Sequence, residues 1–268
     1  MRRVPALARG RRADGQDHRG GLRSVAERAF PRASRRDHPF GGLYHAANQS
    51  RPSAGREPEG AALVKNGAYI DRFLQGVEEI ARKVSREDID RAIETLYQAW
   101  KDGRTVFTAG NGGSAGTATH LAADLNKMTA IPGQPRLRAM SLVDNIPLVS
   151  ALVNDDGWDN VYTEQLATFY RPGDVLVTIS VHGGTGRDKA GAWSQNLMKA
   201  IAYVKERGGT TIGLAGFDGG AMREVCDVCV VVPYDTTPHV EGFHVVLHHL
   251  IAFCLAERIA GGAGLSRQ

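Results

Sequence analysis

FTAGNGGSAGTATHLAADL, residues Phe107–Leu125, joins a strand pattern to a helix pattern through a glycine-rich turn. The first residues form an apolar run that is typical of a buried strand, and the residues after Ser114 have the spacing of a helix. Glycine lets backbone N–H groups approach an anion closely, and the N-terminus of a helix adds a favourable dipole. The segment therefore predicts a strand, an anion-binding turn and a helix in immediate succession.

The same alternation continues towards the C-terminus. Apolar runs of strand type recur as RLRAMSLV, DVLVTIS, TTIGLAG and VCVVVP. The helical patterns that follow them are a stretch to Val153, Lys189–Arg207, Gly220–Val225 and Val240–Ile259. Continuous apolar strands that alternate with helices are typical of a parallel sheet covered on both faces. We therefore predict an α/β fold whose ligands bind at the carboxyl ends of the strands.

Two amphipathic helices are predicted before the first strand. Ile70, Phe73 and Val77 recur at helical spacing. Ser85, followed by acidic residues, is typical of the N-cap of a second helix, which we expect to end near Gly103. Helices with wide apolar faces of this kind pack onto a domain body or onto a sister subunit.

Residues 1–60 differ from the rest of the chain in composition. They contain 13 arginines, no lysine and 6 acidic residues, a net charge of +7, whereas the whole chain carries +4. The segment shows little hydrophobic periodicity, and we predict that it is disordered. It is either an arginine-rich arm for nucleic acid or targeting, or a segment without such a role, namely an unstructured appendage or upstream sequence included through a misassigned start codon. The absence of lysine favours the second. The remaining residues, 61–268, carry −3, which does not suggest nucleic-acid binding.

Cysteine content and hydropathy indicate a cytoplasmic protein. The three cysteines are Cys226, Cys229 and Cys254, an odd and low number that argues against a disulfide framework. Cys226 and Cys229 form a C-x-x-C pattern inside an apolar run, which favours core packing over metal binding. We find no apolar run of about 18 residues, the length of a transmembrane helix, and no secretory signal, so we expect no membrane partner.

Two glycine-rich loops follow predicted strands. The first contains GNGGS, and the second is SVHGGTG, Ser180–Gly186. Backbone N–H groups and hydroxyls on one edge of a sheet are typical of a site for a phosphorylated ligand. Neither loop has the sequence of a Walker motif or of a dinucleotide fingerprint. The two loops together therefore favour a phosphorylated small molecule over simple tight turns.

Histidines and carboxylates accompany these loops. His120 and Asp124 are four residues apart and share a helix face, and Glu241 and His249 are eight apart and lie close to one face. By the same count, His244 and His248 are expected to point elsewhere on that helix. If the first and last helices of the sheet both frame the loops, these two pairs converge. Two imidazoles and two carboxylates suit a divalent metal such as zinc, or acid–base chemistry without a metal.

Five segments together resemble the sugar isomerase (SIS) domain family, and most closely its phosphoheptose isomerase branch. In chain order they are GNGGSAGTATHLAADL, NDDGW, ISVHGGTG, TIGLAGFDGGAM and HVEGFHVVLHHLI. The resemblance covers about residues 63–260. It implies a three-layer αβα sandwich with a five-stranded parallel sheet, preceded by two helices. It also implies a homotetramer with active sites at subunit interfaces, which converts sedoheptulose 7-phosphate into D-glycero-D-manno-heptose 7-phosphate.

The resemblance implies roles for individual residues. The positions that contact the sugar are Asn111, Gly112, Gly113, Ser114, Asn154 and Asp155. The phosphate-binding positions are Ser180, His182 and Thr185. The catalytic positions, which also bind one Zn²⁺ per subunit, are His120, Asp124, Glu241 and His249. For the isomerisation we expect Asp124 or Glu241 as the base and His249 as the acid.

The chain departs from the branch at several of these positions. Asp124 stands where the branch has glutamate, Glu241 where it has glutamine, and His182 where it has serine, while Met128 replaces an expected arginine. Either the ligand differs in its head group, or a metal supplies more of the positive charge. Because metal-binding residue types remain at all four metal positions, an enzyme is favoured over the non-enzymatic SIS proteins that sense phosphosugars or assemble on a replication initiator. An isomerase of a different ketose phosphate is the other alternative.

Overall fold

The computed structural model describes residues 64–184 and 194–261. Within them the strands are β1 Thr105–Gly110, β2 Arg138–Ser141, β3 Val175–Ser180, β4 Thr210–Gly216 and β5 Val228–Val232. The helices are α1 Gly67–Lys83, α2 Arg86–Lys101, α3 Gly113–Met128, α4 Ile146–Asp155, α5 Val161–Phe169, α6 Gln195–Glu206, α7 Gly220–Val225 and α8 Thr237–Ile259. The prediction of disorder for residues 1–60, the start of the helix predicted from Lys189, and Thr185 lie outside the described residues.

The strands form one parallel sheet in the order β2-β1-β3-β4-β5. In the register of β1, Val106 pairs with Ala139 of β2 on one side and with Val175 of β3 on the other. The predicted five-stranded parallel sheet is confirmed. The strand order reverses between β1 and β3, so the connections that leave these two strands diverge to opposite faces of the sheet. The crevice between them is where ligands bind in open α/β sheets.

Helices cover both faces of the sheet and complete the three layers. Side chains alternate between the faces of a strand, so that Val177 and Ile179 enter one core and Leu176 enters the other. The first core packs against α1, α2, α3 and α8, and the second against α4, α5, α6 and α7. The predicted three-layer αβα fold is therefore confirmed.

The two N-terminal helices pack on the α8 side of the sheet. The side chain of Ser85 accepts a hydrogen bond from the Asp88 N–H at 3.1 Å, as expected for the N-cap of α2. His239 anchors α1: its ring stacks on Phe73 with centroids 4.1 Å apart, and its Nε2 donates to the Phe73 carbonyl at 3.0 Å. Gly76 leaves room for this ring.

Helix α5 was not predicted from the sequence. It has only nine residues, too few for a clear helical period, yet it buries Tyr162 and Leu166 in the second core. The Tyr162 hydroxyl donates to the carbonyl of Gly110 at the end of β1. Burial raises the pKa of Tyr162 to about 12, so this hydroxyl keeps its proton and can donate at neutral pH.

Helix α8 begins three residues earlier than predicted, and Pro238 lies in its first turn, where a missing N–H costs nothing. By length and composition α8 could cross a membrane. However, half of its apolar segment is buried inside the domain, and its buried residues include His244 and His248. These features are typical of the core helix of a folded domain.

Candidate metal centre and active site

The loop after β1 lies at the crevice edge and is fixed by an amide pair. Asn111 Nδ2 donates to Asn196 Oδ1 at 3.0 Å, and Asn196 Nδ2 donates back to Asn111 Oδ1 at 2.8 Å. Asn196 is fully buried at the start of α6. Gly112 has φ +57° and ψ −126°, a conformation that side chains rarely tolerate, and it allows α3 to begin at once. Asn196 was missed because the helix predicted from Lys189 placed it in a helix interior, and no local pattern pairs it with Asn111.

The loop after β3 packs directly on the loop after β4. Gly183 has φ +62°, and a Cβ there would come within 1.9 Å of the Gly219 carbonyl oxygen, so only glycine fits. The Gly184 N–H donates to the Ser180 hydroxyl at 3.4 Å. The His182 ring packs against Phe217 with centroids 4.5 Å apart. Ser180 and His182 therefore lie at the carboxyl edge of the sheet, as predicted from the order of strands and loops.

Asn154 and Asp155 form the last turn of α4, which follows β2. Both side chains are exposed, and Asn154 Nδ2 donates to Asp155 Oδ1 at 2.7 Å. Every residue of α4 keeps some exposure.

Three histidines and one aspartate converge between α3 and α8. His120 Nε2 lies 3.7 Å from Asp124 Oδ1 within α3. From α8, His248 Nδ1 lies 3.4 Å and His249 Nδ1 lies 2.8 Å from Asp124 Oδ2. One nitrogen or oxygen of each of the four residues lies within 4.8 Å of those of the others. Imidazole and carboxylate are the ligands that divalent transition metals prefer.

The buried atoms of this group fit a metal ion. Among the described residues, Asp124 Oδ2 and both ring nitrogens of His248 have no hydrogen-bond partner. Although His249 Nδ1 is only 2.8 Å from Asp124 Oδ2, the two atoms are not aligned as donor and acceptor. A buried polar atom without a partner costs about 1–3 kcal/mol. A bound cation would give a partner to Asp124 Oδ2 and to one of the two ring nitrogens of His248.

The protonation state of His248 also fits a role as a metal ligand. Burial is the main cause that lowers the pKa of His248 to about 4, and the neighbouring imidazoles of His249 and His120 lower it further. At neutral pH its ring is therefore neutral and has a lone pair for a metal.

The group is closed on one side and open on the other. The His248 side chain is fully buried and that of Asp124 is 11% exposed, whereas those of His120 and His249 are 50% and 43% exposed. A metal ion at this place would keep a face towards solvent, as catalytic zinc sites do. The exposed side of α8 continues with apolar side chains, namely Val245, Val246, Leu250 and Phe253.

Glu241 lies apart from this group, at the glycine-rich loop. It precedes His249 by eight residues on α8, about 12 Å along the helix axis. Its Oε1 lies 2.6 Å from where a Cβ of Gly113 would stand. The four-residue group found among the described residues does not include Glu241. Its predicted membership of the metal site, together with His120, Asp124 and His249, stays a prediction.

The expectation that His248 points elsewhere is wrong. Adjacent residues on a helix project about 100° apart, and α3 lies so that it contacts both His248 and His249. The His120 ring is 4.5 Å from the ring of His248 and 4.7 Å from that of His249. The histidine doublet opposite His120 and Asp124 was the signal in the sequence that could have identified this residue.

The other buried histidine, His244, and the two cysteines of the C-x-x-C pattern belong to the core. His244 Nε2 donates to the Ala215 carbonyl at 3.1 Å, and burial lowers the pKa of His244 to about 4. Cys226 and Cys229 pack against the second core, as predicted. Burial raises the pKa of both thiols to about 12, so they are not reactive thiolates.

Comparison with known proteins agrees with this geometry. The sequence profile of the SIS domain matches residues 68–216. The chain belongs to the SIS domain family. Lincomycin biosynthesis protein LmbN of Streptomyces lincolnensis is 43% identical over 193 residues, which cover 70% of this chain and 68% of the relative. The phosphoheptose isomerase of Rhodospirillum rubrum is 40% identical over 163 residues, 61% of this chain and 81% of the relative.

A solved structure supports the same assignment for the SIS domain. Phosphoheptose isomerase GmhA from Neisseria gonorrhoeae is 29% identical and superposes with a TM-score of 0.61, over 70% of this chain and 95% of that chain. The family predicted from the motifs is confirmed. In this SIS domain, two glycine-rich loops lie at the crevice edge, and the His/Asp group lies about two helical turns further along α3 and α8.

Proposed function

We propose that this SIS protein is an aldose–ketose isomerase that converts sedoheptulose 7-phosphate into D-glycero-D-manno-heptose 7-phosphate. The proposal rests mainly on one observation, the convergence of His120, Asp124, His248 and His249. The same domain also has two glycine-rich loops of the kind that binds phosphorylated ligands. The relatives named phosphoheptose isomerase, at 40% and 35% identity, support the same chemistry. A protein that only bound phosphosugars would have no need for this group.

The reaction moves a proton between C1 and C2 of the sugar through a cis-enediol. A base removes the proton from C1 of the ketose, the proton is returned at C2, and a hydroxyl proton passes from O1 to O2. We assign the transfer at oxygen to His249, whose half-exposed ring is accessible to a substrate. Two carboxylates, Asp124 and Glu241, are candidates for the base.

One Zn²⁺ per subunit is the proposed cofactor. The ligands that we propose from the sequence are His120, Asp124, Glu241 and His249, and the unpartnered atoms of Asp124 and His248 support a cation at this place. When bound, such an ion polarises the substrate carbonyl as a Lewis acid. Asp124 and His248 exclude water from the inner side of the group, while His120 and His249 border its open side.

The loops are proposed to orient the sugar phosphate. Ser180, His182 and Thr185 are proposed to bind the phosphate, with a ring N–H of His182 as the donor in place of a missing hydroxyl. The contacts for the sugar chain are proposed to be Asn111, Gly112, Gly113, Ser114, Asn154 and Asp155. The amide pair supports this proposal, because the two hydrogen bonds between Asn111 and Asn196 attach the first loop to the start of α6.

We also propose a cytoplasmic homotetramer with active sites at subunit interfaces. The exposed apolar side chains Val246, Leu250 and Phe253 support it, because they flank the half-exposed His249 on α8. A second subunit that covered this stripe would also close the open side of the site. Light scattering of the purified protein measures the assembly directly, and a monomer would contradict the proposal.

The same chemistry on another ketose phosphate is the second candidate. It is favoured by one observation, the 43% identity to a lincomycin biosynthesis protein, which lies outside the proteins named phosphoheptose isomerase. The replacement of an expected arginine by Met128 and of a serine by His182 points in the same direction.

An isomerase assay separates these candidates. Purified protein is incubated with sedoheptulose 7-phosphate and with ketose phosphates of other chain lengths, and the aldose product is detected by NMR. We expect the highest rate with the heptulose and a rate lower by about 10²–10⁴-fold in His249→Ala. An unimpaired His249→Ala protein would contradict the role of His249, and full activity after removal of metal by a chelator would contradict the role of zinc.

A further inference from the structure

We infer that Asn196 is a positioning residue that fixes the two glycine-rich loops relative to each other and thereby selects the chain length of the ketose phosphate. This inference rests on the proposed isomerase function and concerns its substrate specificity. Because its side chain is fully buried, Asn196 acts through Asn111 of the loop after β1 and not by touching the sugar.

Asn111 uses its whole hydrogen-bonding capacity within the protein. A side-chain amide offers two hydrogens and two lone pairs. Asn111 Nδ2 donates to Asn196 Oδ1 at 3.0 Å and to Ser194 Oγ at 3.3 Å. Asn111 Oδ1 accepts from Asn196 Nδ2 at 2.8 Å and from the Tyr162 hydroxyl at 3.3 Å. The orientation of this side chain is therefore set mainly by its partners at the start of α6.

Asn196 is suited to this role by its amide and by its place. Its Oδ1 also accepts from the Leu197 N–H at 2.9 Å, in the first turn of α6. The oxygen therefore orients the amide on the helix, while the Nδ2 group reaches Asn111. A carboxylate at this position would have no N–H for Asn111 Oδ1, and an alanine would remove both hydrogen bonds of the pair.

The first turn of α6 also supports the loop after β3. Gly184 has φ +90°, and a Cβ there would stand 2.6 Å from Met198 Sδ. The backbone of this loop therefore packs directly on Met198, which follows Asn196 on the same turn. One turn of helix thus contacts both loops, the loop after β1 through Asn196 and the loop after β3 through Met198.

The two loops leave neighbouring strands, and their helices diverge. Gly110 at the end of β1 pairs with Ile179 of β3. Helix α3, which follows the loop after β1, packs in the first core, whereas α6 packs in the second core on the other face of the sheet. The hydrogen bonds between Asn111 and Asn196 therefore connect the loop that leads to α3 with the helix on the opposite face.

The spacing of the loops determines which substrate can react. The phosphate is proposed to lie at the loop after β3 and the sugar chain at the loop after β1, so the number of carbons between phosphate and carbonyl must match the spacing. A misplacement of the reacting carbons by about 1 Å can cost about 10²-fold in rate. Fixed loops therefore select one chain length, and loss of Asn196 frees the loop after β1 and lowers this selectivity.

Chain-length selectivity of the full-length, metal-bound protein tests this role. We would measure kcat/KM for ketose phosphates of six, seven and eight carbons in the wild type and in Asn196→Ala. The preference for the best substrate over the neighbouring chain lengths should fall at least about 10-fold in Asn196→Ala, the lower end of what one carbon group contributes to discrimination. A residue needed only for folding would lower the rate with all three substrates by the same factor.

Gln165→Ala is the matched control, because it also removes a buried amide from the side of the sheet that carries α6. The hydrogen bonds of Gln165 Nε2 go to the carbonyls of Leu142 and Val161, and the variant should keep the wild-type selectivity. Asn196→Ser, whose side chain is too short for the pair, serves as a second variant if Asn196→Ala does not fold, and far-UV circular dichroism checks the fold of each. Unchanged selectivity in a folded Asn196 variant, or an equal loss in Gln165→Ala, would overturn the inference.

Binding without turnover separates this inference from the proposed function. Alditol phosphates of six and seven carbons have no carbonyl and cannot isomerise, and isothermal titration calorimetry measures their Kd. We expect the ratio of the two Kd values to approach one in Asn196→Ala and to stay at the wild-type value in Gln165→Ala. If the wild type distinguishes the two but isomerises no ketose phosphate, the proposed function fails, while the calorimetry still decides the role of Asn196. A wild type without a preferred chain length in either assay would overturn the inference.

Discussion

A methyl group added at Gly113 is predicted to displace the Glu241 carboxylate. The Cβ of Gly113→Ala would stand 2.6 Å from Glu241 Oε1, whereas ordinary contacts begin at 3.4 Å. The carboxylate must therefore move by at least about 0.8 Å. Because a misplacement of about 1 Å can cost 10²-fold in rate, we expect kcat to fall on the order of 100-fold.

The fold should not suffer from this substitution. Gly113 is the first residue of α3, and alanine is the better helix former. A compatible glycine-to-alanine change stabilises by about 0.4–1 kcal/mol, so Tm should stay equal or rise by up to about 4 °C. Gly116→Ala is the matched control, because a Cβ there meets no atom of the described residues within 4 Å. It should raise Tm similarly and leave kcat unchanged.

A double-mutant cycle distinguishes this mechanism from direct obstruction of the substrate. If Gly113→Ala acts through Glu241, adding it to Glu241→Gln should lower kcat no further, and the two effects should not be additive. If the methyl group only blocks the sugar, KM should rise in both backgrounds. Wild-type kcat in Gly113→Ala, or full additivity with Glu241→Gln, would refute a catalytic role for the Glu241 carboxylate.

Three further predictions concern the core and the packing of α1. In Gly76→Ala, a Cβ would come within 2.6 Å of His239 Nε2 and of the Tyr234 hydroxyl. Overpacking should therefore lower the free energy of unfolding by about 1–3 kcal/mol. Urea denaturation measures this change, and an unchanged midpoint would contradict the described packing of α1. Burial raises the pKa of Cys226 and Cys229 from 9.0 to about 12, which reduces their thiolate fraction by about 1000-fold. Both thiols should therefore resist iodoacetamide at pH 8 until the protein unfolds. Rapid labelling of either one in the folded protein would contradict its burial. Burial lowers the pKa of His244 from 6.5 to about 4, so the unfolded chain gains a proton below pH 6.5 that the folded chain does not take up until about pH 4. The free energy of unfolding therefore decreases as the pH falls through this window, by about 2 kcal/mol between pH 7 and pH 5. His244→Leu should remove this part of the pH dependence. An identical dependence of the free energy of unfolding on pH in that variant would contradict the prediction.

The strands and their direction could be predicted from the sequence, because each forms a short apolar run before a glycine-rich or polar loop. Their order in the sheet was not predicted, since local patterns carry no information on which strands are neighbours, and the family resemblance was used only for a parallel sheet of five strands. Helix α5 was missed because its burial of Tyr162 and Leu166 depends on a core that forms only in three dimensions.

The candidate site was predictable in part. His120 and Asp124 share a helix face by spacing alone, and their contact with His249 followed from a correct pairing of α3 with α8. The role of His248 could not be derived from a helical count, because the position of α3 between two adjacent residues of α8 decides it. The place of Glu241 likewise depends on a neighbour, Gly113, whose missing side chain makes room for the carboxylate.

Hydrogen exchange at the sugar tests the central claim most directly. The metal-bound protein is incubated with sedoheptulose 7-phosphate in deuterated water, and NMR follows deuterium at C1 and C2. The account predicts uptake of deuterium in the wild type, with formation of the aldose, and its loss in a variant that lacks both candidate bases, Asp124→Asn together with Glu241→Gln. If the wild type neither incorporates deuterium into sedoheptulose 7-phosphate or any other ketose phosphate tested nor forms an aldose phosphate from it, the central claim is contradicted.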